Sequence, residues 1–286
     1  MHIKSRIKRA AAEESIMLIS VLKWTVLATI TGVIVGLSSG GFLKLLAWST
    51  GYSSRYSYYY LLLPAGFFIS SVLVRYLAPE AKGHGTEKVI EAVHKRSGKI
   101  ALPVVPVKLA ATLEAGGSVG KEGPSAQIDA GLASAFADLF RFGNADRKKL
   151  VICGISAGFA SVFGTPIAGS IFGIEVLFIG GMMYEVLLPS FIAGIISFEV
   201  SSHLGVSYFY HQIKFVPAFS SLFFSKVILA GIFFGICSLL LIEGLKLGER
   251  LAAEMRFWLP LRGSCGRYPA DSADAGFFQT VPRAGA

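Results

Sequence analysis

Long apolar stretches with almost no charged residues dominate the chain. They cover residues 24–43, 56–74, 150–200 and 227–242. Only the third contains charged side chains, all of them acids. A run of about 18 or more apolar residues is long enough to cross a bilayer core of about 30 Å as an α-helix. A soluble helix needs a polar face, which these stretches lack, and a backbone in lipid must satisfy its own hydrogen bonds. The pattern therefore predicts an all-α, polytopic transmembrane helical bundle.

Full-length spans and shorter helical segments follow one another along the chain. Basic residues in 1–15 predict a short helix on the cytoplasmic side, because bases flanking a first span favour that orientation. Full-length spans are expected over 17–50, 56–78 and 222–250. Shorter helices are expected over 83–99, 101–115 and 124–140. The mixture of lengths indicates that the bundle is not built from full-length parallel spans alone.

Breaks inside residues 150–205 carry a functional implication. Gly164-Thr165-Pro166, Gly180-Gly181 and Pro189 are expected to divide this stretch into pieces. A broken helix leaves unpaired N–H groups at membrane depth, which are tolerated where protein or a water-filled cavity satisfies them, and there they bind ions. The bundle is therefore predicted to contain broken, tilted helices. Three pairs of glycines are spaced by four residues: Gly32/Gly36, Gly169/Gly173 and Gly231/Gly235. This spacing is typical of close helix contacts, but it can also arise by chance in a chain with 32 glycines.

The composition changes near the end of the sequence. Residues 258–286 contain several prolines and arginines, no lysine and no apolar run. Two interpretations stay open, a disordered tail and the product of a truncated or frame-shifted coding region. The expected domains are thus a basic N-terminal helix over 1–15, a transmembrane domain over 16–257 and an atypical tail over 258–286.

Charge and cysteine content narrow the class of protein. Only 16% of residues are charged, against about 25% in ordinary soluble domains. The net charge of +9 comes from bases at the edges of spans and in short loops, so it indicates membrane orientation and no nucleic-acid partner. The first apolar run is too long for a cleavable signal peptide. We expect a multi-pass protein of the cell inner or plasma membrane, and the cysteine and histidine spacings predict no metal and no cofactor.

A glycine-rich loop running directly into a helix is the strongest chemical signal. Residues 116–124 read GGSVGKEGP, and Pro124 suits the first helical turn, where a missing N–H has no consequence. Free N–H groups and the helix dipole at such a start favour an anion. A nucleotide-binding P-loop is excluded, because its pattern needs glycine and Ser/Thr where this chain has Ala115 and Glu122.

Glu122 can act in two ways at this helix start. Placing a carboxylate among apolar spans costs free energy, so such a residue is taken by default to have a function. In one interpretation it is a gate that fills the anion site when ionised and leaves it when protonated or rotated away. In the other it is a helix-capping acid paired with Lys121. The physics of the residues alone leaves both open.

Three motifs in the same order resemble the CLC family of chloride channels and chloride/proton exchangers. GKEGP at 120–124 resembles the family signature G-(K/R)-E-G-P. GHGT at 83–86 resembles its first anion-binding loop, with His84 in place of the usual serine. GTPIAGSIFGIEV at 164–176 resembles a third family segment, and Lys108 resembles a buried family lysine.

The resemblance implies a set of site residues and a transported anion, chloride. Glu122 corresponds to the gating glutamate. The anion-binding positions implied by the family are Gly83, His84, Gly85, Thr86, Gly120, Lys121, Gly123 and Pro124. Supporting pore and helix positions are Lys108, Gly164, Pro166, Glu175 and Val176. Full-length relatives are dimers, so the resemblance also implies a homodimer in the lipid bilayer.

Two departures from the family pattern bear on the mechanism. Exchangers of the family carry a second glutamate where this chain has Val176, which favours passive conduction over chloride/proton exchange, with the antiporter as an alternative. The family's second half supplies G-x-F-x-P and a late tyrosine, which are absent here. The resemblance therefore covers the first half and the start of the second, and another alternative is a fragment that inserts but conducts only with a missing C-terminal half. No nucleophile–base pair or phosphate loop in the sequence supports an enzyme.

Overall fold

Helices account for the regular structure of the described part of the chain. The computed structural model describes residues 2–53, 55–56, 58–113, 120–177, 183–208 and 220–254. The helices are α1 His2–Ser53, α2 Leu63–Leu77, α3 Gly85–Lys95, α4 Val104–Leu113, α5 Glu122–Leu139, α6 Asn144–Phe163, α7 Pro166–Glu175, α8 Tyr184–His203 and α9 Ser221–Glu254. Short 3-10 turns precede α2 and α3, and the described residues contain no strand. The predicted all-α class is confirmed.

The described residues include three helical segments long and apolar enough to cross a membrane. They are Met17–Ser53, Tyr184–His203 and Ser221–Gly248, with mean hydropathies of 2.0, 1.4 and 2.3. Leu63–Leu77 and Val104–Leu113 are apolar but shorter. The predicted mixture of long spans and short helices is therefore present in the structure, but the full-length span expected over 56–78 is wrong, because the helix there is the shorter Leu63–Leu77.

The chain divides into two units, residues 1–208 and residues 209–286. In the first unit α6 is the central helix, and every residue from Leu150 to Val162 is buried. Helix α5 packs beside it, and α1, α7 and α8 also contact α6. Helices α3 and α4 also contact α5. In the second unit α9 is a single helix whose described side chains are mostly exposed.

Glycines bring the long helices of the first unit into backbone contact. A Cβ added at Gly32 or Gly36 of α1 would lie 2.7 Å or 2.8 Å from a carbonyl oxygen of α8. A Cβ added at Gly169 of α7 would lie 2.5 Å from the Ala160 nitrogen of α6. Small residues at such crossings allow close approach and extensive van der Waals contact. Two of the three predicted glycine pairs thus lie at helix interfaces, while the pair on α9 stays a prediction.

Some predicted boundaries differ from the structure. A separate helix over 1–15 was expected, but α1 continues from His2 to Ser53 because residues 10–14, AAAEE, are good helix formers that offer no break. Pro189 was expected to cut a span and instead lies inside α8. It stands in the second turn of that helix, where one lost backbone hydrogen bond is offset by its burial. The break at 164–166 is confirmed, whereas Gly180-Gly181 and the tail 258–286 lie outside the described residues.

Candidate functional site

The first residues of α3 and α5 touch each other. Gly85 begins α3, and Gly123 is the second residue of α5. A Cβ added at Gly85 would lie 2.6 Å from the Gly123 carbonyl carbon and 3.1 Å from the Gln127 Cβ, so a larger residue does not fit. The start of a helix carries unpaired N–H groups and about half a positive charge. Two such starts in contact make a local concentration of N–H donors that suits an anion.

The carboxylate of Glu122 folds back onto the start of its own helix. Glu122 is the first residue of α5, and its Oε2 accepts a hydrogen bond of 2.9 Å from the backbone N–H of Lys121. Gly120 has a φ of +74°, and a Cβ there would lie only 2.9 Å from the same oxygen. The left-handed backbone at Gly120 therefore leaves room for this carboxylate. The negative charge lies where the helix start would otherwise favour a free anion.

The side chain of Lys121 reaches away from Glu122. Its Nζ donates to the carbonyl oxygen of Val162 at 3.2 Å, near the end of α6. The contact between Lys121 and Glu122 runs through the lysine backbone N–H. Lys121 thus links the start of α5 to the end of α6, and its charge lies close to a carbonyl that terminates a helix. Positive charge is favourable there, because the last carbonyls of a helix carry partial negative charge.

Lys108 fixes the segment that leads into α3. The side chain is buried in α4, and its Nζ donates at 2.9 Å to the carbonyl oxygens of Ala81 and Gly83. From α5, the Gln127 side chain donates at 2.9 Å to the carbonyl oxygen of Glu80. The segment before α3 is therefore held by both α4 and α5. Lys108, predicted from its family resemblance as a supporting residue, acts in the structure through backbone contacts.

His84 and Thr86 flank the first residue of α3. His84 is the N-cap residue and is exposed, and its side chain makes no capping hydrogen bond. Thr86 is half-buried. Gly83 has a φ of +84°, which favours glycine. Pro124 is the third residue of α5, so it lies in the first helical turn as predicted. It is half-buried.

The third motif forms the junction between α6 and α7. Gly164 ends α6 in the left-handed conformation with a φ of +68°, and a Cβ there would lie 2.6 Å from the Tyr208 ring. Pro166 is the first residue of α7, where a missing N–H is harmless. Glu175 is exposed at the opposite end of α7, about 14 Å along the helix axis from Pro166 by the rise per residue. Val176 follows it and is half-buried.

One buried acid was missed in the sequence. Asp129 of α5 is fully buried and accepts hydrogen bonds on Oδ2 from Ser39 of α1 at 2.8 Å and from Ser125 at 2.7 Å. It is the sole charged residue between positions 123 and 137. An acid isolated in a run of small and apolar residues is the signal that identifies it, since charged groups are rare in membrane-embedded helices.

The sequence model of the voltage-gated chloride channel family matches residues 65–266. The chain belongs to the CLC family. A curated relative, the chloride/fluoride channel protein of Pseudomonas syringae pv. tomato, is 36% identical over 224 residues, which is 77% of this chain and 49% of the relative. An uncharacterized protein of Methanocaldococcus jannaschii is 31% identical over 184 residues, 64% of this chain and 45% of that protein.

Solved structures agree with the CLC assignment. A crystal structure of a CLC-type fluoride/proton antiporter matches with a TM-score of 0.78 and 25% identity, covering 85% of this chain and 62% of that one. A slow cyanobacterial Cl⁻/H⁺ antiporter matches in fold with a TM-score of 0.69, 20% identity, and 85% and 61% coverage. The chain thus spans about half the length of the curated relatives it matches. As a CLC family member, it is an integral membrane protein.

Proposed function

We propose that this chain supplies the anion site of a CLC-type transport pathway. Chloride or a similar halide binds to backbone N–H groups at the starts of α3 and α5, and Glu122 is the gate. The observation that carries the proposal is the contact between Gly85 and Gly123, with the Glu122 carboxylate resting on the Lys121 N–H. Converging helix starts favour an anion. The Glu122 carboxylate, which is part of the same chain, competes with a free anion for these N–H donors.

Gating follows from competition between the carboxylate and a free anion. When Glu122 is ionised, it keeps the N–H donor at the start of α5. Protonation removes its charge and rotation removes its oxygen, and either change leaves the donors to a free anion. Lys108 contributes by holding the start of α3 through two backbone carbonyls. Its effect is positional, because its amino group is committed to those carbonyls.

The class of transport is proposed from one residue of the chain and from the relatives. Val176 cannot carry a proton, which favours passive conduction. The chloride/fluoride channel of Pseudomonas syringae pv. tomato supports this class and a halide substrate. The similarity to a fluoride/proton antiporter favours proton-coupled exchange as a second candidate. We keep the channel as the first candidate and the exchanger as the alternative.

The assembly is proposed on the same basis. We propose that the protein is a homodimer in the inner or plasma membrane, as the family resemblance implies. We also propose that it is not an enzyme. Because the chain spans about half the length of its curated relatives, a conducting pathway built between two halves would require the second half as well. The alternative of a fragment that inserts without conducting alone follows from that requirement.

Anion efflux from liposomes tests the gate. Vesicles loaded with chloride and containing the chain should release it faster as the pH falls, and Glu122→Gln should release it at a rate that no longer depends on pH. Glu199→Gln removes an exposed acid of α8 and is the matched control, which should keep the dependence. Retained pH dependence in Glu122→Gln contradicts the gate. No efflux from the chain, with efflux after the second half of the Pseudomonas relative is supplied, supports the fragment alternative.

A further inference from the structure

The carboxyl group of Asp129 is satisfied on one oxygen only. Oδ2 accepts hydrogen bonds from Ser39 and Ser125, whereas Oδ1 meets no donor among the described residues. Asp129 itself is fully buried. A buried carboxylate is expensive unless its oxygens are paired or hydrogen-bonded. A neutral carboxylic acid avoids most of that cost, because a proton on Oδ2 leaves Oδ1 as an uncharged carbonyl oxygen.

The surroundings of Asp129 provide hydrogen bonds and no neutralising charge. It faces Ser39 on α1, Ser125 on its own helix, and Gly154 and Gly158 on α6. A Cβ at Gly158 would lie 3.0 Å from the Asp129 Cβ, so glycine there makes room for the acid. Asp129 forms no ion pair with any residue that the structure describes.

Titratable side chains on the helices packed against α5 make their contacts elsewhere. Lys23 of α1 pairs with Asp146 of α6, and Lys108 of α4 binds loop carbonyls. On α3, Lys88 and Lys95 both pair with Glu91. Four other such groups also have contacts away from Asp129. Lys44 of α1 lies near Gly205, Arg147 and Lys149 of α6 pair with Asp138 and Glu185, and the buried thiol of Cys153 accepts from Ser190. None of these contacts involves the Asp129 carboxyl, so its charge is not balanced by them.

Asp129 lies on the same face of α5 as Glu122. The two acids are seven residues apart, which in an α-helix corresponds to a rotation of about 20° and a rise of about 10.5 Å. Ser125 stands between them, three residues after Glu122 and four before Asp129, and these spacings make neighbours on a helix surface. Its hydroxyl already donates to Asp129 Oδ2 at 2.7 Å. The Ser125 hydroxyl group therefore contacts Asp129 and lies on the helix surface between the positions of the two acids.

We propose that Asp129 is a proton-binding residue that exchanges its proton with Glu122 through the Ser125 hydroxyl. The inference rests on the proposed role of Glu122 as the gate. The Glu122 side chain rotates from the Lys121 N–H toward Ser125 and gives its proton to the serine oxygen. The serine passes its own proton to Asp129 Oδ2. Glu122 ends as a carboxylate, Asp129 as a neutral acid, Ser125 unchanged, and no other reactant takes part.

This assignment gives the chain an internal proton site that does not depend on position 176. Val176 cannot hold a proton, so proton movement with the anion needs another acid. Asp129 supplies one within the helix that begins at the gate. Protonation of the gate and occupancy of the anion site are thereby linked through a single helix.

Infrared spectroscopy of the purified chain tests the proton directly and needs no transport. A buried protonated carboxyl group gives a C=O stretching band separate from that of a carboxylate. We expect such a band at neutral pH in the unaltered chain and in Glu122→Gln, and its loss in Asp129→Asn, which keeps the shape of the side chain. A spectrum in which Asp129→Asn leaves the band unchanged overturns the proposal.

Deuterium exchange of that band tests the route. Ser125→Ala and Ser39→Ala each remove one buried donor from the same Asp129 oxygen, but only Ser125 lies toward Glu122. Exchange after transfer to D₂O should slow at least tenfold in Ser125→Ala and remain within about twofold in Ser39→Ala, the matched control. Equal slowing in both variants would mean that the serines only support the fold, and would overturn the route.

Coupled flux measurements separate this inference from the proposed function. In liposomes in which protons move with the released anion, as the exchanger alternative requires, Asp129→Asn should reduce the proton flux at least tenfold while anion efflux continues. Unchanged proton flux in Asp129→Asn overturns the relay. Absence of anion efflux from the unaltered chain refutes independent transport, and the infrared band and its exchange then still decide whether Asp129 holds and passes a proton.

Discussion

Replacing Gly85 with alanine tests whether the contact between α3 and α5 builds the anion site. The new Cβ would overlap the Gly123 carbonyl oxygen and would lie 2.6 Å from the carbonyl carbon, whereas ordinary contact begins at 3.4 Å. The two helix starts must therefore separate by more than 0.8 Å at this point. Both atoms in conflict are tied to backbone, so a side-chain rotation cannot relieve the overlap.

The size of the effect follows from two opposing contributions. Forcing an extra carbon into a packed site costs about 1–3 kcal/mol. Alanine is a better helix former than glycine by up to about 1 kcal/mol, and this gain offsets part of the cost. We expect a net loss of about 1–2 kcal/mol of unfolding free energy, which for a domain of 150–250 residues lowers the midpoint of thermal unfolding by about 2–8 °C.

Binding should respond more strongly than stability. A hydrogen bond to a charged partner contributes about 1.5–3 kcal/mol, so an anion that loses its N–H donors from one helix start should bind at least tenfold more weakly. Titration calorimetry with chloride and with fluoride on the purified chain measures this. Thermal unfolding in the same detergent gives the stability change on the same sample.

Gly41→Ala is the control for the glycine substitution itself. Gly41 lies inside α1, and a Cβ there would meet no described atom within 4 Å. It should leave anion affinity unchanged and keep or slightly raise the unfolding midpoint, because only helix propensity changes. If Gly85→Ala binds anions as tightly as Gly41→Ala does, the converging helix starts do not form the site and the reasoning fails.

Two further sets of substitutions test other contacts of the first unit by thermal unfolding. Lys108→Met should lower the free energy of unfolding by about 2–4 kcal/mol, because two loop carbonyls lose a charged donor, and it should also weaken anion binding. Lys99→Met, the control at an exposed position, should do neither. Equal effects of the two substitutions would contradict the positioning role of Lys108. Ser161 and Ser197 share a buried hydrogen bond of 2.6 Å between α6 and α8. Each single change to alanine should cost about 1–3 kcal/mol, and the double change should cost less than their sum by about 0.5–1.5 kcal/mol; strict additivity would show that the hydroxyls do not interact.

Helix starts in this chain could be predicted because glycine and proline mark them locally. The motif at 120–124 combines a left-handed glycine with a first-turn proline, and α5 begins within it, at Glu122. The break between α6 and α7 follows from Gly164 and Pro166 in the same way. These signals depend on backbone geometry within a few residues, so they do not require knowledge of the packing.

Tertiary packing decided what the pattern left open or got wrong. Pro189 resembles a helix breaker in the sequence but stays within α8, because burial compensates for one lost hydrogen bond. The contact of Gly85 with Gly123 joins residues far apart in sequence, and neither residue alone indicates its partner. The hydrogen bond from Ser39 to Asp129 likewise joins residues 90 positions apart, so the partner of this acid required the same information. Local periodicity contains none of these relations.

The proposed anion binding can be tested separately from anion conduction. The contacts that shape the proposed site all lie within residues 1–208: the α3–α5 contact, the Lys108 tether, and the bond between Gln127 and the Glu80 carbonyl. A site held by contacts inside one compact unit can form without the rest of a transport pathway, whereas conduction requires an open route on both sides of the site. Anion affinity that is lost in Gly85→Ala is therefore meaningful even for a chain that releases no chloride from vesicles. Affinity without flux would place the anion site in this unit and the remainder of the pathway outside it.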